Sequence, residues 1–259
     1  MSSPSSIGAR RNGPQVANRT RDSRAGEGIV RSVPYAERGH HESRHLAEHA
    51  HEGSAHDASV LAEHVALGAL AEPLGFNSLF ALEHHFTGYL MSPDPTQLLT
   101  YFAGRTRRIT LGTAVIVLPW HDPVRVAEEI ALLDILSHGR CVFGFGRGAA
   151  SVEYAGFRVP MEEARARFVE SAQIVIKALT NDVFSWEGEF FKIPTMSIRP
   201  RPISHPERRF YASSVSPESA EIMAKLRFGL LVIMQNEWPK AAEDIQRIRL
   251  TGITEPRNF

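Results

Sequence analysis

The chain has 259 residues, 43% hydrophobic and 22% charged, with 29 basic against 29 acidic side chains and a formal net charge of zero. That apolar fraction supports a core in one large or two small domains and excludes a wholly disordered or fibrous chain. Zero net charge argues against nucleic acid as the main partner, because phosphate backbones demand a concentrated cationic excess. A lone cysteine, Cys141, cannot form an internal disulfide. With no apolar run near a membrane span and no secretory signal, the expectation is a cytoplasmic protein without membrane contact.

Residues 1–56 differ in kind from the rest. Eight Arg and four acidic residues precede position 45, and His40, His41, His45, His49, His51 and His56 are half of the twelve histidines. His41, His45 and His49 at helical spacing, followed by Glu52, would suit a metal ion. No cysteine partners and no known ligand spacing accompany them. The expectation is an Arg/His-rich disordered arm over 1–56 with no metal, and a folded domain over 57–259.

From Asp57, Leu61, Ala62, Val65, Ala66, Ala69 and Leu70 recur in the rhythm of a helix with one buried stripe, capped by Asp57 and stopped at Gly75. Ser78–Leu82 reads as a strand ending in Glu83-His84-His85. A helix is predicted from about Asp94 to Gly104. Ile109–Leu118 is then a continuous apolar strand of the kind whose two faces are both covered. Asp122 and Pro123 supply the cap and first residue of a helix with Val126, Ile130 and Leu133 on its buried stripe. Cys141–Phe145 is a strand leading into Gly146-Arg147-Gly148. A long loop follows, then a helix over about 161–179 and a small hairpin at 183–193. Arg209–Ser213, Ser216–Arg227 and Gly229–Met234 read as strand, helix and strand. Alternation of this kind implies a parallel sheet, either open and doubly wound or closed into a barrel. Polar groups gathering after several strand ends suit a barrel with its active site on that rim.

Three groups could carry chemistry. His84 and His85 bring imidazoles suited to acid–base work to a strand end; either ring reads equally well as a packed histidine oriented by Glu83. Arg147 between glycines can grip an anion in a fork, though the spacing matches no phosphate-binding fingerprint and also suits a surface turn. Ser213 and Ser214 precede a helix start at Ser216-Pro217 and would face its unpaired amides, a natural phosphate site. Ordinary capping needs Ser216 alone.

The series Leu82-Glu83-His84-His85-Phe86-Thr87, Leu111-Gly112-Thr113-Ala114-Val115-Ile116-Val117-Leu118-Pro119, His121-Asp122-Pro123-Val124-Arg125, Leu132-Leu133-Asp134 and Gly139-Arg140 through Gly144-Phe145-Gly146-Arg147-Gly148 resembles the bacterial luciferase-like flavin monooxygenases. The likeness spans about residues 58–235, with the motifs in the family's order. It implies a TIM-type (β/α)8 barrel that binds reduced FMN from a separate reductase and uses dioxygen to oxidise a small organic substrate. A homo- or heterodimer fits the same expectation.

Under that resemblance His84 and His85 are the catalytic candidates. Glu83, Ala114, Val115, Arg147, Ser213 and Ser214 are the cofactor-binding ones, Ala114-Val115 through a cis peptide against the flavin ring. Gly146 stands where the luciferase subunit has a reactive cysteine, so no thiol role carries over. Trp120, Phe86 and Tyr154 are candidate walls of an apolar substrate pocket. The family's first strand has only Ile29–Tyr35 as a faint counterpart, and the last two βα units are not evident, so the expected barrel is incomplete. Two alternatives stand beside the leading one: a deazaflavin-dependent oxidoreductase of the same fold, and a non-catalytic remnant or interaction protein.

Overall fold

The structure is a computed structural model that describes residues 53–88, 90–213, 222–223, 225–231 and 246. The histidine-rich stretch up to His51, Ile29–Tyr35, Ser214 and Ser216 lie outside the described residues. The described elements belong to one unit, Ala50–Phe259.

Helix α1 (Gly53–Ala71) leads to strand β1 (Ser78–Ala81). Helix α2 (Pro95–Ala103), β2 (Thr110–Val117), α3 (Pro123–Leu136) and β3 (Cys141–Gly146) continue the alternation. Two helices, α4 (Ser151–Phe157) and α5 (Ala164–Thr180), precede an antiparallel hairpin of β4 (Phe184–Glu187) and β5 (Lys192–Met196). Strands β6 (Phe210–Ser213) and β7 (Gly229–Leu231) complete the described sheet. The five main strands are parallel and lie in chain order, β1-β2-β3-β6-β7. A doubly wound sheet reverses its strand order at a switch point, and the five described strands do not.

Local chemistry explains the boundaries. The Asp94 carboxylate accepts from Gln97 N at 2.9 Å and Asp122 from Val124 N at 2.9 Å, so each satisfies an amide that its helix leaves unpaired, with proline at the first turn. Every residue of β3 is buried, as a central parallel strand requires. Phe143, Phe145 and Phe210 sit between the sheet and its helices, where Val126, Ile130, Leu133, Ile174 and Val175 complete the core.

Side-chain clamps fasten the strand beginnings. Glu72 accepts from the amides of Arg108 and Ile109 at 2.7 and 2.8 Å, and these bonds hold its pKa down at about 2. Arg140 donates to the carbonyls of Ile109, Thr106 and Ala103, closing the C-terminal end of α2. Asp134, fully buried, accepts from Ile203 N at 3.0 Å, Ser204 N at 2.9 Å and Arg209 Nη2 at 2.9 Å, pinning the segment that enters β6. Glu170 on α5 accepts from Trp186 Nε1 and the amides of Glu189, Phe190 and Phe191, which ties the hairpin down.

Two expectations are corrected. Helix α1 begins at Gly53, a turn before the expected Asp57 cap, and its predicted stripe holds only in part: Val65 and Ala69 face inward, joined by Gly68, whereas Leu61, Ala62, Ala66 and Leu70 are exposed. The reason is close approach. A Cβ on Gly68 would stand 2.4 Å from Phe102 Cζ, so the small residues, not the leucines, meet the aromatic ring. The long loop after Gly148 contains α4, whose residues prove central to the site.

Candidate active site

The C-terminal ends of β1, β2, β3 and β6 lie side by side in the sheet, and the functional candidates cluster there. At the end of β1, Glu83 turns inward. Its carboxylate accepts from Val117 N at 2.8 Å, His85 Nε2 at 2.9 Å and His121 Nε2 at 2.7 Å, and its side chain has no solvent exposure. Burial alone would raise the Glu83 pKa, but the bonds from His121 and His85 outweigh it and hold the carboxyl below its ordinary range. Burial likewise opposes charge on His121, yet the bond and charge of Glu83, with Glu129 and Asp94 nearby, raise its pKa overall.

His84 is held from another direction. Its Nδ1 lies 3.2 Å from Glu153 Oε1, and the same oxygen accepts the backbone N–H of His85 at 2.9 Å. Its own amide donates to Ser92 O at 3.1 Å. The His84 ring stays about one-third exposed, whereas His85 is packed at its edges against Trp120 and Phe157. His84 is therefore the ring a ligand can reach, and His85 belongs to the wall behind it.

Ala114 and Val115 are joined by a cis peptide, and there the register of β2 on β3 shifts between Thr113 and Ile116. Both residues are half-buried. Gly146, at the end of β3, lies so close that a Cβ on it would stand 2.3 Å from Val115 Cγ2 and 3.4 Å from Ser213 Oγ. Strand ends β2, β3 and β6 thus meet at one point. Arg147 follows with its side chain exposed, and its carbonyl accepts the Tyr154 hydroxyl. Tyr154 precedes no gap in the network: its neighbour Glu153 is the partner of His84, so α4 links the arginine turn to the histidine turn. Burial pushes the Tyr154 hydroxyl up to about 12, so it stays a proton donor.

An aromatic wall completes the site. Trp120 stacks on Phe157 at 5.4 Å and meets Tyr154 edge-on at 5.3 Å, and Phe86 lies 5.1 Å from Phe157. The Trp120 indole N–H is buried and has no hydrogen-bond partner among the described residues. Cys141 is remote in character: it is buried beside Ser137, and burial pushes its thiol up to about 11.

Of the sequence candidates, His84, His85, Ala114, Val115, Arg147 and Ser213 come to one end of the sheet. Glu83 comes there too, but its carboxylate is spent on three internal donors rather than turned outward. Ser214 lies outside the described residues. Sequence reasoning missed Glu153, because a seven-residue helix after a glycine turn was read as loop, and it passed over His121 as part of a motif without a role of its own.

Residues 42–252 match the profile of the luciferase-like monooxygenases. The alkanal monooxygenase alpha chain of Photorhabdus luminescens is 31% identical over 175 residues, 68% of this chain and 48% of that one. The oxygenase component of the flavin-dependent trigonelline monooxygenase of Acinetobacter baylyi is 30% identical, over 61% of this chain and 44% of that one. Among solved structures, monooxygenase RslO1 from Streptomyces bottropensis aligns with a TM-score of 0.70 at 32% identity, covering 74% of this chain and 60% of that one. A 3,6-diketocamphane monooxygenase of Pseudomonas putida in complex with FMN shares the fold at 19% identity, with a TM-score of 0.64 over 74% of this chain and 58% of its own. The chain spans about half the length of the curated relatives it matches. With its motifs, its strand-end cluster and this match over most of its length, the chain belongs to the luciferase-like monooxygenase family.

Proposed function

We propose that the chain carries the cofactor end of a flavin-dependent monooxygenase, one that uses reduced FMN and dioxygen to oxidise a small organic substrate. The observation that carries this reading is the convergence of His84, the Ala114–Val115 peptide, Gly146 and Ser213 on one end of the sheet, with Arg147 beside them. The donor set fits the cofactor. Arg147 offers a guanidinium and Ser213 a hydroxyl suited to a phosphate, and the half-buried Ala114 and Val115 offer an apolar platform for a flat ring.

FMN would be held by Arg147 and Ser213 at its tail and by Ala114 and Val115 at its ring, and it supplies the electron chemistry with dioxygen that no side chain here can provide. The residues of the chain bind, orient and hold protons. The Glu153 carboxylate beside Nδ1 orients the His84 ring, the group suited to exchange a proton in the site. Trp120, Phe157 and Phe86 pack against His85 and form the apolar wall behind that ring.

The name of the Acinetobacter relative, an oxygenase component, supports a separate reductase as partner, and the alpha and beta chains of the alkanal monooxygenases support assembly into a dimer. A barrel of the luciferase type is the architecture that goes with this reading.

The test is to mix the chain with reduced FMN without oxygen and then admit air. Saturable binding, with flavin reoxidation on the protein slower than in free solution, is the expected result. Binding of a deazaflavin in place of FMN points to hydride transfer on the same fold and overturns the oxygenase reading.

A further inference from the structure

We infer that His121 is a positioning residue: through the Glu83 carboxylate it locks the turn bearing His84 and His85 to the end of β2. The turn Glu83–Phe86 has no helix or strand of its own, so its geometry depends on side-chain anchors. One anchor is Glu153, already described. The other is Glu83, whose Oε2 takes the Val117 amide at 2.8 Å while Oε1 is shared by His85 at 2.9 Å and His121 at 2.7 Å. His84 lies between these two anchored residues. Both anchors therefore steady the backbone on either side of its ring.

His121 is the member of this cluster that comes from outside the turn and outside β2. It precedes the Asp122 cap of α3, so its position is fixed by a helix start rather than by the turn it steadies. The groups facing it make its charge matter. Glu83 follows β1, Asp94 caps α2 and Glu129 lies on α3; the charge of each favours the protonated form of His121, and Arg125 acts on Glu129. Burial and the nearby Asp94 raise the Glu129 pKa, as expected where negative charge crowds. Removing His121 takes both a hydrogen bond and an opposite charge from the buried Glu83 carboxylate, so the loss exceeds that of a single hydrogen bond.

Calling the consequence catalytic rests on the flavin reading above; the lock itself does not, and it is measured on the protein without cofactor. The readout is amide hydrogen exchange of Val117, followed against pH in the wild type, H121A and H121Q, with near-UV circular dichroism to establish folding. In the wild type the protection of Val117 is expected to fall as pH rises through the His121 titration. H121A is expected to lose about tenfold or more of that protection at neutral pH and to shift the His84 ring signals in nitrogen-15 spectra. H121Q, which can still donate but cannot carry charge, is expected to keep protection and lose its pH step.

A folded H121A with native Val117 protection overturns the inference, and so does an H121Q that keeps the pH step. If H121A does not fold, the pH comparison between H121Q and wild type decides alone. A chain that shows the lock but never binds flavin retires the oxygenase reading and leaves the role of His121 intact.

Discussion

Glu153 and His84 stand 69 residues apart in sequence, yet the carboxylate lies 3.2 Å from the ring nitrogen. The same oxygen accepts the His85 amide at 2.9 Å, so one side chain from α4 orients both the ring and the backbone of the turn after β1. The position of the His84 ring is therefore set in part by a buried acid on a different element.

Replacing Glu153 by alanine strands a part-buried amide and releases the ring. The expected cost is about 1–3 kcal/mol in stability, read from urea unfolding. E153Q keeps an acceptor and is expected to lose about 1 kcal/mol or less. Equal stability of E153A and wild type contradicts the anchor.

Arg147 and His84 are expected to separate binding from chemistry. R147A should weaken FMN by about ten- to a hundredfold, the range for losing charge-assisted bonds to a phosphate, and leave riboflavin affinity unchanged. H84A should leave FMN affinity nearly unchanged and slow substrate oxidation. Fluorescence titration with FMN and riboflavin side by side reads the first, and oxygen consumption reads the second. An R147A variant that still prefers FMN removes Arg147 from the site.

At Gly146 the limit is steric. A Cβ there meets Val115 Cγ2 at 2.3 Å, so G146A forces β2 and β3 apart at the strand ends. Overpacking of this kind costs about 1–3 kcal/mol, and FMN affinity should fall with it. Calorimetric melting and FMN titration check both, and a G146A that melts and binds like the wild type refutes the contact.

The Glu83–His121 pair sets a pH window. Glu83 titrates below its ordinary 4.5 in the folded chain, so the stability it contributes is present above 4.5 and is lost as pH falls through its depressed folded value. His121 titrates above its ordinary 6.5, so its contribution is present below 6.5 and is lost as pH rises through its raised folded value. Urea midpoints across acid to alkaline pH should be greatest between these limits, and E83Q should flatten both flanks. A wild-type profile that already lacks them contradicts the pairing.

Much of this architecture was legible in the sequence for identifiable reasons. Asp94-Pro95 and Asp122-Pro123 announce helix starts because a carboxylate cap and a proline each satisfy a local rule that tertiary packing does not override. The all-apolar runs of β2 and β3 announce a sheet covered on both faces. Helix α1 misled in part because leucines dominate its pattern, whereas Gly68, set close against the ring of Phe102, lies on the inward face with the expected Val65 and Ala69. Glu153 was illegible because its role depends on a partner 69 residues away, and nothing local separates it from a solvated acid. His121 sat in plain view within a motif, but only the fold shows that Glu83 has two imidazoles to hold.

The central claim is that His84 and Arg147 serve one bound flavin, and the ring signals of His84 during an FMN titration test it most directly. The account predicts that these signals move with the same midpoint as the quenching of FMN fluorescence, and that R147A displaces both midpoints together. His84 signals that stay still at saturating FMN contradict it.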